Sequence, residues 1–234
     1  MTRELVARVK EIIPRNYNVT SVRLEIGASI DFKAGQFLAV TLAGNPALKR
    51  YLSISSSPTE ENYLEFTKKL TNSDFSQALS RLKAGESVKI EYPFGKFTLD
   101  NPQTDIAFLS GGIGITPIRS IVKYVVDKNL GIDMVLVYAN RSVKDIVFKE
   151  DFDALQQAYP KLKVAHVLCE PAVDFKCIPG LINARVIKDT VMDYPRRRFY
   201  LCGPPQMVEA MKKILVEELS VAIENIVNEN FQGY

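Results

Sequence analysis

Two hydrophobic patterns divide the chain near residue 100. Before it, short runs rich in β-branched and aromatic residues are separated by Gly, Pro, Asn and Asp, as in strands joined by turns. These runs are LVARVKEII, SVRLEI, QFLAVTL, YLEFTKKL and SVKIEY. Their spacing predicts a small antiparallel β-barrel over residues 1–100, interrupted by a helix from about Phe75 to Leu82.

The second pattern begins after Asp100-Asn101-Pro102 and alternates strand with helix. The predicted elements, in order, are DIAFLSG, TPIRSIVKYVVDKN, IDMVLVYAN, VFKEDFDALQQAYP, KVAHVLCE, FYLCG and PPQMVEAMKKILVEEL. This alternation favours a parallel sheet with helices on both faces. The predicted fold is therefore an N-terminal antiparallel β-barrel domain, residues 1–100, followed by an α/β parallel-sheet domain, residues 101–234.

Composition excludes several classes of function. A formal charge of +3 is too small to indicate nucleic-acid binding, although the first 100 residues, with 14 basic and 11 acidic side chains, suit a mildly acidic partner. No apolar run approaches the roughly 18 residues of a membrane helix. The start, MTRELVARVK, lacks the apolar core of a secretory signal. These features predict a protein of the cytoplasm.

Cysteine and histidine usage argues against a metal site. Cys169, Cys177 and Cys202 form no C-x-x-C pair, so a zinc or iron–sulfur site is not predicted. An odd number of cysteines without a signal indicates reduced thiols in a cytoplasm. His166, the only histidine, lies in the strand-like run KVAHVL, which favours packing over acid–base or metal chemistry.

The stretch AFLSGGIGITPIRSI predicts a phosphate site at the end of a strand. Gly111, Gly112 and Gly114 would let the backbone approach a pyrophosphate, and the helix predicted to start near Pro117 directs its positive end at the anion. Thr116 is a candidate cap. The alternative is a glycine-rich turn that only connects two elements.

A second turn, FYLCGPPQMV, ends another strand of the same predicted sheet. Two strand ends with glycine turns would form opposite walls of a crevice. Cys202 is expected at its floor, either as a site residue or as a buried structural cysteine, and no obvious base is present to make it a nucleophile.

Two features of the barrel region add candidate anion contacts. Arg50 in KRYLSISSSP has the forked donor geometry that suits phosphate. Ser73, Asp74 and Ser76 precede or open the lone helix, where they either cap it or direct its N-terminus at the same phosphates.

Five motifs in order resemble the ferredoxin–NADP reductase superfamily over essentially the whole chain. They are AGQFLAV (34–40), RYLS (50–53), YPFGKFTL (92–99), GGIGITP and CGPPQM. The resemblance implies an FAD-binding barrel followed by a nicotinamide-nucleotide domain. Arg50 and Ser76 would hold the FAD pyrophosphate, and Ser53 would reach the flavin near N5.

The resemblance also implies the remaining site residues. Gly112, Gly114 and Thr116 would line the pyridine-nucleotide site, with Cys202, Gly203 and Pro204 near the nicotinamide. In the ending ENFQGY, Glu229 would lie near the reacting rings and Phe231 would cover one flavin face. Ser53, Cys202 and Glu229 would position groups and handle protons.

The chain departs from the family pattern at three places. The motif tyrosine is Leu52, so either Leu52 flanks the flavin or Tyr51 takes part of that role. The family glycine three residues before the helix serine is Ser73. The tail runs three residues past Phe231, so Tyr234 is an alternative stacking ring.

The predicted preference between NADH and NADPH depends on the residues that follow two of the strands. Arg141 is a cation suited to a 2′-phosphate, whereas Glu170 would repel a phosphate and accept a hydrogen bond from a free ribose hydroxyl. NADH or NADPH is therefore the coenzyme, with a tilt toward NADH. The triplet Arg196-Arg197-Arg198 is interpreted as a solvated charge run.

The predicted activity is hydride transfer from NAD(P)H to FAD and then electron transfer to a separate acceptor protein, a ferredoxin, a flavodoxin or an oxygenase component. The alternatives are an NAD(P)H:flavin oxidoreductase that releases its flavin, a non-enzymatic electron-transfer or regulatory subunit, and a phosphate-binding module without redox chemistry.

Overall fold

The computed structural model describes residues 2–27, 31–99 and 104–230. It forms two compact units. The first comprises Met1–Leu99 with Thr116–Asp127, and the second comprises Asp100–Ile115 with Lys128–Tyr234. Phe231 and Tyr234, the two candidate stacking rings, lie outside the described residues.

The first unit is built on a six-stranded antiparallel sheet in the order β4-β3-β6-β1-β2-β5. An isolated bridge between Ile54, just after β4, and Phe66 of β5 brings the two edges together, so the sheet is a nearly closed barrel. The predicted β-barrel and its helix are confirmed. The elements are β1 (Arg3–Pro14), β2 (Val19–Glu25), β3 (Phe37–Thr41), β4 (Lys49–Ser53), β5 (Tyr63–Lys69), α1 (Asp74–Arg81) and β6 (Ser87–Phe94).

Strand alternation accounts for the barrel core. Leu38 and Val40 of β3 point inward and are fully buried, as are Leu64 and Phe66 of β5. Phe75 of α1 is also fully buried and belongs to the same cluster. Burial of each such side chain contributes roughly 1.5–3 kcal/mol, so this face fixes the register of the strands.

The second unit is built on a six-stranded parallel sheet in the order β10-β9-β8-β7-β11-β12, as predicted for an α/β domain. The order reverses between β7 and β11, which is where ligands bind in such sheets. The strands are β7 (Ile106–Gly111), β8 (Met134–Asn140), β9 (Leu162–Leu168), β10 (Ile178–Pro179), β11 (Arg198–Gly203) and β12 (Ile226–Asn230), and the helices are α3 (Lys149–Ala158), α4 (Ala184–Thr190) and α5 (Pro205–Lys213).

Helix α2 (Ile115–Asp127) packs, from Thr116 onward, against the barrel. Ser120 Oγ donates to the carbonyl of Ser56 at 2.6 Å, and Arg119 donates to the carbonyl of Ser55 at 2.8 Å. Arg119 also forms two bonds to the Glu60 carboxylate, at 2.8 and 3.1 Å. These bonds tie the helix to the segment that follows β4.

The start of α2 corrects one expectation from the sequence. The helix begins at Ile115, directly after a short 3₁₀ turn over Gly112–Gly114. Thr116 therefore lies inside the first turn, where it is buried, and is not the cap. Pro117 remains in the first turn, where its missing N–H leaves no helical partner unbonded.

Arg197 corrects a second expectation. The interpretation of 196–198 as a solvated charge run fits the exposed Arg196 but is wrong for Arg197, which is 5% exposed. Arg197 donates to Asp193 at 2.6 Å, to Asp133 at 2.5 Å and to the carbonyl of Ile106 at 3.0 Å. It joins segments at the amino end of the parallel sheet.

The Arg119–Glu60 pair predicts a pH-dependent contribution to stability. Burial alone would raise the pKa of Glu60, but Arg119, the Ser57 backbone N–H and the Tyr63 hydroxyl lower it to about 2 from 4.5. We expect Glu60→Gln to lower the free energy of unfolding by about 3 kcal/mol near neutral pH. Because the carboxylate stabilises the fold only above its unfolded pKa, the loss shrinks as pH falls from 4.5 toward 2.

Urea unfolding of both proteins across this pH range checks the expectation. Glu4→Gln is the matched control, because Glu4 pairs with Lys89 on the surface of the same unit. It should change stability by less than about 1 kcal/mol. A loss for Glu60→Gln that is the same at neutral and acid pH would contradict the assignment.

Candidate functional site

Two cationic side chains lie together beside the start of α1. The guanidinium carbon of Arg50 is 5.6 Å from the ring centre of Phe75, in the first turn of that helix. Burial, and then the nearby charges of Arg50 and Lys69, lower the pKa of the Lys68 ammonium. Crowding of like charges near a helix N-terminus fits a pyrophosphate. The sequence interpretation missed Lys68, whose signal was a lysine pair at the end of β5.

The serines at the start of α1 form a hydroxyl cluster. Ser73 is the N-cap and accepts from the backbone N–H of Ser76 at 3.3 Å, so the capping interpretation is correct for Ser73. Ser76 is buried, and its Oγ lies 3.1 Å from Ser73 Oγ and 3.2 Å from Thr71 Oγ1. Its hydroxyl therefore already has protein partners.

Ser53 is the polar group of this unit that best fits a bound flavin. It is buried, and its Oγ has no hydrogen-bond partner among the described residues. The serines that follow are bonded: Ser55 Oγ donates to Glu65 Oε1 at 3.0 Å, and Ser56 Oγ accepts from the Glu65 N–H at 2.9 Å. An unmet buried hydroxyl costs roughly 1–3 kcal/mol, which a polar ring atom of FAD would offset.

The two candidates for flanking the flavin lie on opposite faces of β4. Leu52 is 8% exposed and belongs to the barrel core. Tyr51 is 58% exposed, and its ring contacts the edges of Phe37 and Phe94 at centroid distances of 5.9 and 5.8 Å. Because the two side chains point to opposite faces of the strand, one flavin ring would not contact both. Contact with Leu52 and contact with Tyr51 are therefore alternative hypotheses.

In the second unit, the two glycine turns pack directly on each other. A Cβ on Gly114 would lie 2.3 Å from the carbonyl oxygen of Cys202 and 2.6 Å from the N–H of Gly203, so only glycine fits. Gly112 has a left-handed backbone, φ +52°, with open space where a side chain would stand. The turn after β7 thus leaves its backbone accessible, which fits a pyrophosphate. Pro204 precedes α5 as its N-terminal flanking residue.

Parallel register places a row of polar side chains on one face of this sheet. Cys202 of β11 is paired with Ser110 of β7 on one side and with Glu229 of β12 on the other. Tyr138 and His166 continue the row on β8 and β9. His166 lies between the rings of Tyr138 and Phe175, so the packing interpretation of this histidine is correct.

Glu229 and Cys202 differ in what they can do chemically. Glu229 Oε2 is buried without a partner among the described residues, and burial raises the pKa of its carboxyl to about 7. Burial, and then the nearby Glu229, raise the pKa of the Cys202 thiol well above its ordinary value. The thiol stays protonated, which argues against a nucleophile, whereas Glu229 can gain or lose a proton near neutral pH.

Arg141 and Glu170, for which opposing roles were predicted, are bonded to each other. Arg141 Nε donates to Glu170 Oε1 at 2.8 Å, and the Glu170 N–H donates to the Arg141 carbonyl at 2.7 Å. Both side chains are mostly exposed. The Glu170 carboxylate therefore already occupies one of the N–H donors of the Arg141 guanidinium.

Two searches of the described residues gave negative results. Across 2–27, 31–99 and 104–230, no three His, Cys, Asp or Glu side chains form a metal-binding group. Within the same ranges, no helix combines the length and apolarity needed to cross a membrane.

Known proteins resemble the chain over both units. Residues 4–99 match the family model of the oxidoreductase FAD-binding domain, and residues 108–213 match that of the oxidoreductase NAD-binding domain. The glycine betaine monooxygenase reductase subunit of Pseudomonas aeruginosa is 32% identical over 79% of the chain, which spans only 52% of that relative. The NADH-cytochrome b5 reductase 1 of Aspergillus fumigatus is 32% identical over 88% of the chain, which covers 71% of it.

Solved structures share the fold at lower identity. Amycolatopsis cytochrome P450 reductase GcoB superposes with a TM-score of 0.87 at 22% identity, over 99% of this chain and 71% of that one. A ferredoxin NADP+ reductase from Neisseria gonorrhoeae, solved with FAD and NADP, gives 0.83 at 19% identity, over 97% and 98%. The motifs, the barrel, the parallel sheet and these matches agree, and the chain belongs to the ferredoxin–NADP reductase superfamily.

Proposed function

We propose that the chain is an FAD-dependent NAD(P)H reductase that passes electrons to a separate acceptor protein. The observation that carries the proposal is the presence, in one chain, of both oxidoreductase domains, each with buried polar atoms that have no hydrogen-bond partner among the described residues. In the barrel this atom is Ser53 Oγ. In the parallel-sheet unit several buried atoms have no such partner, and Glu229 Oε2 and Ser110 Oγ flank Cys202 among them. FAD, when bound, supplies the acceptor for the hydride of NAD(P)H and can release the electrons one at a time.

The side chains of the barrel unit bind and orient. Arg50 and Lys68 supply positive charge for the FAD pyrophosphate, and the N-terminus of α1 at Ser76 adds its dipole. Ser53 Oγ donates a hydrogen bond toward the flavin ring. Leu52 or Tyr51 shapes the edge of the ring site.

The second unit receives the pyridine nucleotide. The backbone of Gly112 and Gly114 approaches its pyrophosphate. Thr116, in the first turn of α2, is the next proposed contact along the chain. Cys202, with Gly203 and Pro204, presents a neutral, polarisable surface to the nicotinamide. Glu229 holds a proton that it can donate to the nicotinamide amide. The tail residues Phe231 and Tyr234 are the candidates for covering a flavin face.

NADH is the proposed coenzyme. Glu170 bears the charge that disfavours a 2′-phosphate and is bonded to Arg141, the cation that would otherwise bind one. Several relatives are named NADH-cytochrome b5 reductases, which supports the same choice.

The acceptor is proposed from the relatives. Reductase components of the glycine betaine and propane monooxygenase systems support an oxygenase component, with a ferredoxin or flavodoxin as the other candidate. The chain spans about half the length of the glycine betaine relatives, so its full complement of partners is part of the proposal. Free thiols at Cys169, Cys177 and Cys202 support a cytoplasmic location.

Purification and anaerobic titration test the proposal. We expect a yellow protein with FAD near equal stoichiometry, and we expect NADH to bleach the flavin absorbance at lower concentration than NADPH. A colourless protein that reduces added riboflavin would instead indicate the free-flavin reductase. A yellow protein that neither nucleotide bleaches would indicate a non-enzymatic subunit.

Removing the Glu170 charge should shift nucleotide preference. We expect Glu170→Gln to improve the KM for NADPH relative to NADH by roughly three- to tenfold, because Arg141 is released to bind a 2′-phosphate. Steady-state kinetics with both nucleotides give the ratio. Glu217→Gln, which breaks the exposed Lys213–Glu217 pair of the same unit, is the control and should leave the ratio unchanged. An unchanged ratio in Glu170→Gln would refute this role.

Glu229 should give the reaction and the fold a pH dependence near neutrality. Its pKa is raised from 4.5 to about 7, so the neutral carboxyl predominates below pH 7. We expect flavin bleaching by saturating NADH to slow as pH rises from about 6 to about 8, and Glu229→Gln to remove that dependence.

Stability follows the same titration with a defined sign. The folded carboxyl binds its proton more tightly than the unfolded one, so ionisation destabilises the fold increasingly from pH 4.5 to about 7. Glu229→Gln should therefore raise the Tm more at alkaline pH than near pH 4.5. An equal Tm change at both pH values would show that Glu229 is not the titrating group.

A further inference from the structure

Tyr138 connects two loops at the carboxyl end of the parallel sheet. It is fully buried on β8. Its hydroxyl donates to the carbonyl of Gly112, in the glycine turn after β7, at 2.9 Å. The same oxygen accepts from the N–H of Val147, in the segment after β8, at 3.4 Å. One phenol oxygen thus uses both its donor and its acceptor capacity on backbone groups of different loops.

In each loop, a hydrogen bond to Tyr138 restrains an unusual backbone conformation. Gly112 is held at φ +52°, and the space where its side chain would stand is open. The Gly112 carbonyl also accepts the backbone N–H of Ile115 at the start of α2, so the phenol adds a side-chain bond to a backbone one. Fixing its carbonyl also fixes the orientation of the peptide bond to Ile113, and with it the direction in which the Ile113 N–H points.

The segment after β8 is also held in a costly conformation. It starts at Arg141, turns through a short helix closed by Ser142 and Asp145, and ends at Phe148, which is left-handed at φ +61°. A non-glycine residue in this region is strained and persists only when neighbouring contacts fix it. The bond from Val147 to Tyr138 is a contact of that kind, one residue away.

We propose that Tyr138 is a positioning residue of the nucleotide site. It holds the glycine turn and the segment 141–148 in one arrangement, so that the adenosine diphosphate ribose part of the coenzyme meets a preformed surface. This inference rests on the proposed function, because it assigns a ligand to the turn. It places the effect of Tyr138 on coenzyme affinity and not on the chemistry at the nicotinamide.

Tyr138→Phe tests the proposal, with Tyr159→Phe as the matched control. Tyr159 is also buried, and its hydroxyl donates to a backbone carbonyl, that of Ile132, at 3.0 Å. Ile132 precedes β8, so this bond lies at the opposite end of the strand from the nucleotide turns. Each variant removes one tyrosine hydroxyl bonded to a backbone carbonyl of the same unit.

The readout is the calorimetric Kd of the FAD-loaded protein for ADP-ribose, which carries the pyrophosphate without the nicotinamide. We expect Tyr138→Phe to weaken ADP-ribose binding roughly three- to tenfold and to raise the KM for NADH by a similar factor, with kcat and FAD content unchanged. Tyr159→Phe should stay within about twofold of wild type. Equal affinities in the two variants would overturn the proposal.

Amide hydrogen exchange of the wild type, measured with and without ADP-ribose, tests the proposal even if Tyr138→Phe folds poorly. ADP-ribose should slow exchange at Val147 together with the amides of the glycine turn, because the phenol links them. Protection confined to the glycine turn would overturn the proposal. A wild type that binds neither ADP-ribose nor NADH has a different meaning, since it refutes the proposed function along with this inference.

Discussion

The register of the parallel sheet is the constraint on which the proposed nucleotide site depends. Because parallel strands align residue against residue, pairing Cys202 with Ser110 also fixes which atoms of β11 meet the glycine turn after β7. Gly114 can then lie against the Cys202 carbonyl only because it lacks a side chain. A slip of one residue would turn Cys202 to the other face of the sheet and change which backbone atoms of β11 meet Gly114. The geometry of the proposed site therefore depends first on how the strands are aligned and only then on individual side chains.

The barrel unit solves a different problem, which is the burial of polar groups. The Glu65 carboxylate is fully buried and bonded to Arg15, Arg23 and Ser55. Arg119 and Glu60 satisfy each other beside the same segment. Buried polar and charged groups are normally hydrogen-bonded. In this segment Ser53 is the serine whose hydroxyl has no hydrogen-bond partner among the described residues. This difference between Ser53 and the bonded serines that follow it supports the proposed contact of Ser53 with the flavin, beside the motif.

The sequence was sufficient for the elements whose patterns are local. Strands such as β7 and β8 are continuous apolar runs, and α2 and α5 begin beside proline with helical spacing, so their positions were predicted closely. Strand β12, IVNEN, was missed because its residues are mostly polar and its extended form comes from pairing with β11. Burial of Arg197 was missed for a related reason, since its partner Asp133 lies 64 residues earlier in the chain. The predicted roles of Arg141 and Glu170 could be stated separately, but only the fold shows that the two side chains bind each other.

The buried Arg197 has a consequence for how this unit can change over evolution. It clamps the amino ends of the strands through Asp133, Asp193 and the Ile106 carbonyl, while the glycine turns and the exposed Arg141–Glu170 pair occupy the carboxyl ends. The clamp and the residues proposed for coenzyme recognition therefore lie at opposite ends of the strands. Substitutions among the residues proposed for recognition leave the clamp intact, so new coenzyme or partner preferences can be sampled without loss of the scaffold.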